Sequence, residues 1–161
     1  EVILHVRMLD NDILQQQKTL GILGTNLIYA CFHYHEYPNS FLKSLLDSLN
    51  RDQLEITMIR MHGPDLDYVD NRLLGVQLVK NGMARAILFD SKGQLQQPGD
   101  MLYKKNLMLF RGSFRPITYV GLDMIKSSYA LFKKDADHNK DNTITVCEMT
   151  INNLLDNGDF S

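Results

Sequence analysis

Seven consecutive residues, Gly112, Ser113, Phe114, Arg115, Pro116, Ile117 and Thr118, combine types that suit an anion. A glycine admits close backbone approach. The Ser113 and Thr118 hydroxyls can donate hydrogen bonds, and Arg115, with Arg111 just before the loop, offers the planar guanidinium that grips phosphate oxygens in pairs. Between an apolar strand and a helix N-terminus, such a loop sets unpaired N–H groups and the helix dipole against a phosphate. The same residues also read as an ordinary strand-to-helix turn with two solvated arginines.

A second pattern lies at 137–148. Asp137, Asn139, Asp141 and Glu148 fall at positions 1, 3, 5 and 12 of a calcium loop, with Ile144 at position 8. Asn142 stands where glycine normally makes the sharp turn, and β-branched residues follow where the motif needs a helix. A polar turn before a strand is the competing reading. Asp90, ending the apolar run 86–89, resembles the first motif of the haloacid-dehalogenase-type phosphatases, but Lys92 replaces the second aspartate and would oppose a metal. A strand with a tight turn is the plainer reading. Cys31, His33 and His35 would share one face of a strand and could hold zinc there; on a helix they spread over about 400° at ~100° per residue. Asp65, Asp67 and Asp70 precede a helix and suit either magnesium or capping.

The elements that must position these groups follow from periodicity. Residues 2–9 are aliphatic and β-branched and end in Asp10-Asn11-Asp12, which predicts a strand and a turn. Residues 13–19 are ambiguous, and Gly24-Thr25-Asn26 opens a helix that Pro38 ends. Leu42, Leu45, Leu46 and Leu49 keep helical spacing after a cap at Asn39 or Ser40. A strand over 54–61 is followed by a helix capped by Asp70 or Asn71 and stopped at Asn81-Gly82. A buried strand is expected at 84–89, a turn at 90–93, and one or two strands over 101–103 and 106–110. A helix over 117–134 carries Leu122, Ile125, Tyr129 and Phe132, and a last strand covers 143–151. Met58, Met61, Met83, Met101, Met108, Met124 and Met149 read as core filler. This order of elements predicts an α/β domain, Rossmann-like, with a largely parallel sheet and flanking helices, so that residues 1–161 form a single domain or part of one.

Composition sets the outer limits. The 161 residues are 44% hydrophobic and 22% charged, which suits a folded domain and excludes disorder, collagen and a disulfide scaffold. A net charge of -2 gives no general reason to bind nucleic acid or an anionic membrane, so neither is expected as a partner. The most apolar stretch, 20–32, is broken by Gly24, Thr25 and Asn26 and falls short of the ~18 residues of a membrane span. Two cysteines, Cys31 and Cys147, suggest reduced thiols and a cytoplasmic protein. Glu1 in place of an initiating Met leads to the expectation of a fragment of a longer chain, whose remaining segments are then partners of this one.

The run Gly112-Ser113-Phe114-Arg115-Pro116-Ile117-Thr118 resembles the nucleotide-binding signature of the nicotinamide-nucleotide adenylyltransferases. The resemblance implies ATP or a related nucleotide with magnesium, bound to a nucleotide-handling site in which Gly112, Ser113, Arg115, Thr118 and Arg111 orient phosphates during nucleotidyl transfer. The histidine that follows in that family falls at Gly121, and the second phosphate motif lies farther downstream than the 43 residues after Thr118. More widely, 20–27, 70–83 and 102–116 resemble an uncharacterised bacterial α/β protein family whose longer members often carry an automatic nicotinamide- or nicotinate-nucleotide adenylyltransferase label. Two other functions remain open on the residues themselves: a non-catalytic interaction domain, and a calcium-binding module through 137–148.

Overall fold

Asp12 decides where the first helix begins. Its carboxylate accepts from the Leu14 and Gln15 amides at 2.8 and 3.4 Å, so α1 runs Ile13–His33 and takes in the polar stretch 13–19. The start expected at Gly24 is corrected: Gln15, Gln16, Gln17 and Lys18 are good helix formers, and a capped N-terminus outweighs two interior glycines. Pro38 both blocks continuation of α1 and opens α2, Pro38–Leu45, at its first turn, where a missing N–H costs nothing. Asn39 and Ser40 therefore lie inside α2 and do not cap it.

The computed structural model describes residues 1–155 and divides the chain into two compact units, Glu1–Pro98 and Gly99–Ser161, where the sequence suggests one continuous domain. In the first unit, β1 (Val2–Met8) pairs antiparallel with β2 (Leu54–Met61), from Val2 opposite Met61 to Met8 opposite Leu54. The register shifts between His5 and Val6, where Thr57 is the extra residue. Two helices, not one, connect these strands, so the chain reverses three times and returns antiparallel. Leu23 and Ala30 of α1 and Phe41, Leu42 and Leu45 of α2 pack with Ile56 and Ile59 of β2. Helix α3, Asn71–Lys80, completes this core with Leu74 and Leu78.

Both ends of α3 obey local chemistry. The Asp70 side chain accepts from the Arg72 amide at 2.9 Å, and Gly82 at φ 66° turns the chain out. Beyond it the strand expected over 84–89 shrinks to β3, Leu88–Phe89, paired antiparallel with β4, Leu95–Gln96. The reason is competition for partners. Next to β2, Met83 accepts from the Ile56 amide and the Arg85 amide donates to the Glu55 side chain, so no continuous ladder forms there.

A short helix α4, Pro98–Leu102, replaces the strand expected at 101–103. The second unit carries β5 (Asn106–Arg111), α5 (Tyr119–Phe132), β6 (Thr143–Glu148) and α6 (Ile151–Leu155). Strands β5 and β6 are parallel, in register from Asn106 opposite Thr143 to Arg111 opposite Glu148. The protein is thus mixed α/β, but the expected largely parallel sheet is corrected: the described sheets each have two strands, and only β5–β6 is parallel. Met58, Met61, Met83 and Met108 are buried as expected of core filler, whereas Met124 and Met149 are exposed. No helix among the described residues is long and apolar enough to cross a membrane.

Candidate functional site at the carboxyl end of β5

The loop 112–118 leaves β5 at the end where a parallel strand delivers its chain to a helix. The Gly112 amide donates to the Glu148 carbonyl at 3.1 Å, which extends the β5–β6 pairing by one residue and fixes where the loop begins. Thr118 fixes where it ends. Its hydroxyl oxygen accepts from the Gly121 amide at 3.1 Å and caps α5, leaving the Tyr119 and Val120 amides without intrahelical acceptors, as in every helix. A cavity of about 180 Å³ opens between these two points, lined by Arg111, Gly112, Ser113, Phe114, Thr118 and Gly121, with Met124 from α5.

The five predicted residues meet different fates within this loop. Gly112 is closely packed by its own neighbour: a Cβ there would stand 3.1 Å from Cζ of the Phe114 ring. Phe114 reaches that position with φ at 50°, a conformation rare for a bulky side chain. The approach that Gly112 was expected to offer a ligand is therefore taken, on this side, by the Phe114 ring. Ser113 and Arg115 are exposed, at the cavity's margin and on the loop respectively. The Thr118 hydroxyl oxygen serves the helix, and its proton remains a donor.

Arg111 is the largest departure. Its guanidinium donates to both Glu148 oxygens, at 2.8 and 3.0 Å from one terminal nitrogen and 3.2 Å from Nε. The Glu148 carboxylate holds Arg111 still more firmly protonated than an ordinary arginine. Seventy per cent of the Arg111 side chain is solvent-accessible, so this is a surface pair that an incoming anion can compete for. Sequence reasoning missed both Glu148 as the partner of Arg111 and Phe114 as the residue packed on Gly112. Each depends on a register or a backbone turn that has no signature in the composition of either segment.

Each residue of the calcium pattern makes a contact within the protein. Glu148 lies in β6 against Arg111, and Asn139 turns its side-chain oxygen to the Asp141 amide at 3.0 Å, capping a 3-10 turn at Lys140–Asn142. Asp137 donates its amide to Asp135, and its carbonyl accepts from the Asn106 side chain. Asp90 receives the Lys92 and Gln94 amides and the Gln96 side chain, so it closes the β3–β4 turn. Those bonds, led by that from Gln94, keep its carboxyl below the ordinary aspartate range.

Cys31 and His33 lie in α1, and the His33 ring packs on Tyr29 with centroids 4.3 Å apart. Burial raises the pKa of the Cys31 thiol. Asp70 caps α3 while the exposed Asp65 and Asp67 lie in the turn before it. Among the described residues, no three His, Cys, Asp or Glu side chains gather where they could hold a metal ion. Compared with protein-family models, curated proteins and solved structures, the chain matches none.

Proposed function

We propose that this protein binds a nucleotide or another phosphorylated small molecule through the loop 112–118, with its phosphates at the N-terminus of α5. One observation carries the reading: a loop leaves the carboxyl end of a parallel strand, passes a cavity and enters a capped helix of 14 residues. That is the place where open α/β sheets hold anionic ligands, because strand ends and helix dipole converge there. In this arrangement the Tyr119 and Val120 amides and the Ser113 hydroxyl donate to phosphate oxygens, and Arg115 supplies charge. Arg111 joins only by exchanging the Glu148 carboxylate for the phosphate.

The β5–α5–β6 unit then serves as one repeat of a larger Rossmann-like sheet whose other strands come from the rest of a longer chain. Leu107 and Leu109, 44% and 50% exposed on one face of β5, favour this, since parallel sheets are covered on both faces. Magnesium would accompany the phosphates as a ligand of the nucleotide. Nucleotidyl transfer is the reaction this placement suits, with the loop orienting phosphates and stabilising the charge that develops on them.

Calorimetric titration of ATP with magnesium into the full chain tests the binding. Affinity should fall by at least about tenfold in Arg115→Ala and recover in part in Arg115→Lys, which keeps charge but not the paired donors. Equal affinity in all three proteins would exclude the loop. Exposed surfaces without this binding would instead leave the domain as a non-catalytic interaction module.

A further inference from the structure

The first unit holds a larger cavity, of about 510 Å³, walled by three separate elements. Arg60 comes from β2, Asp70 and Arg72 from the start of α3, and Lys92 and Leu95 from the β3–β4 hairpin. We propose that this cavity is a second anion site, which binds a small molecule bearing a phosphate monoester through Arg60 and Lys92. This assignment is independent of the loop at 112–118.

Each wall is held before any ligand arrives. The Arg60 guanidinium donates to the Leu95 carbonyl at 3.1 Å, a neutral acceptor that fixes the side chain without cancelling its charge. The Asn71 side chain binds both the amide and the carbonyl of Met61, at 2.8 and 2.9 Å, and fastens α3 to the end of β2. Asp90 orders the hairpin that carries Lys92, and Gly93 supplies the φ of 76° that its turn needs. Preset donors of this kind spare a ligand the cost of ordering them.

Charge selects the ligand class. Asp70 answers Arg72 through two side-chain bonds, at 2.8 and 3.1 Å, and also caps α3, so neither the helix terminus nor Arg72 is the attraction. Arg60 and Lys92 remain as the cavity's excess positive charge, in a chain whose net charge is -2. Asp90, bound within its turn, offsets part of the Lys92 charge. A guanidinium and an ammonium lining one cavity suit a dianionic phosphate better than a monoanionic carboxylate. The volume lies in the range of small-molecule sites and exceeds that of phosphate alone, leaving space for an organic body along Val69 and Leu95.

Amide NMR of the full chain, titrated with inorganic phosphate, phenyl phosphate and acetate, tests the site. Saturable shifts are expected at Arg72, Gly93 and Gln94, with phenyl phosphate binding tighter than phosphate and acetate weaker. Arg60→Gln and Lys92→Gln should each weaken phosphate binding by about tenfold. Lys92 is exposed on the hairpin, so its variant reports binding even if Arg60→Gln disturbs β4. Shifts confined to 112–121, shifts unaffected by Lys92→Gln, or acetate binding as well as phosphate would overturn the assignment.

Discussion

Gly75 and Gly21 are both interior to helices, yet their replacement by alanine should act in opposite directions. At Gly21 a new Cβ meets nothing within 4 Å, so Gly21→Ala gains the helix propensity of alanine, about 1 kcal/mol. At Gly75 the Cβ would stand 2.8 and 3.1 Å from the two Leu95 methyls and 3.3 Å from the Ile87 Cδ1. Leu95 is only 3% exposed, and both of its methyls would have to give way. Overpacking of this kind costs about 1–3 kcal/mol, which meets or exceeds the same propensity gain.

Gly75→Ala should therefore be neutral to about 2 kcal/mol destabilising, and the difference between the two variants isolates the contact between α3 and the hairpin. Urea unfolding followed by far-ultraviolet circular dichroism measures both, since the chain has no Trp to report by fluorescence. Equal stabilisation by the two substitutions would refute the packing of α3 on Leu95, and with it the wall that holds Arg60.

Two further outcomes follow from the ion pairs. Glu148→Gln should release Arg111 and tighten ATP–magnesium binding by about three- to tenfold, with little change in melting temperature because the pair is exposed. A calcium-dependent rise in melting temperature that Glu148→Gln abolishes would instead favour the calcium loop at 137–148. At Asp70, hydrogen bonding from Arg72 holds the carboxyl pKa below its ordinary value. The folded pKa lies under the unfolded one, so the associated stability is complete above about pH 4 and is lost as pH falls through the folded value. The gap in melting temperature between the native chain and Asp70→Asn should shrink on acidification over that range; a constant gap would show that the charge contributes nothing.

Local signals were legible and non-local ones were not. Asp70 and Gly82 bracket α3, and the residues of β2 and β5 stand out by hydrophobic pattern, because each needs only near neighbours; Thr118, expected inside the helix 117–134, instead caps α5. The direction of β1 against β2 depends on how many helices intervene, and the polar run 13–19 hid the first third of α1. Residues 84–89 are mostly apolar, like a central strand, but β2 meets them through the Glu55 carboxylate on the Arg85 amide, and its backbone bond from Ile56 goes to Met83 just before them. At the loop 112–118, two contacts were not legible in the sequence: the Glu148 carboxylate on Arg111, which depends on the β5–β6 register, and the Phe114 ring beside Gly112, which depends on a positive φ.

Photolabelling with 8-azido-ATP and magnesium, followed by tryptic mapping, tests the nucleotide loop most directly. Trypsin cuts after Arg111 and Lys126 but not at Arg115-Pro116, so the loop and the start of α5 leave as one peptide, 112–126. Label is expected in that peptide, displaced by unmodified ATP and lost in Arg115→Ala. Displaceable label elsewhere, or none in 112–126, would contradict the proposed site.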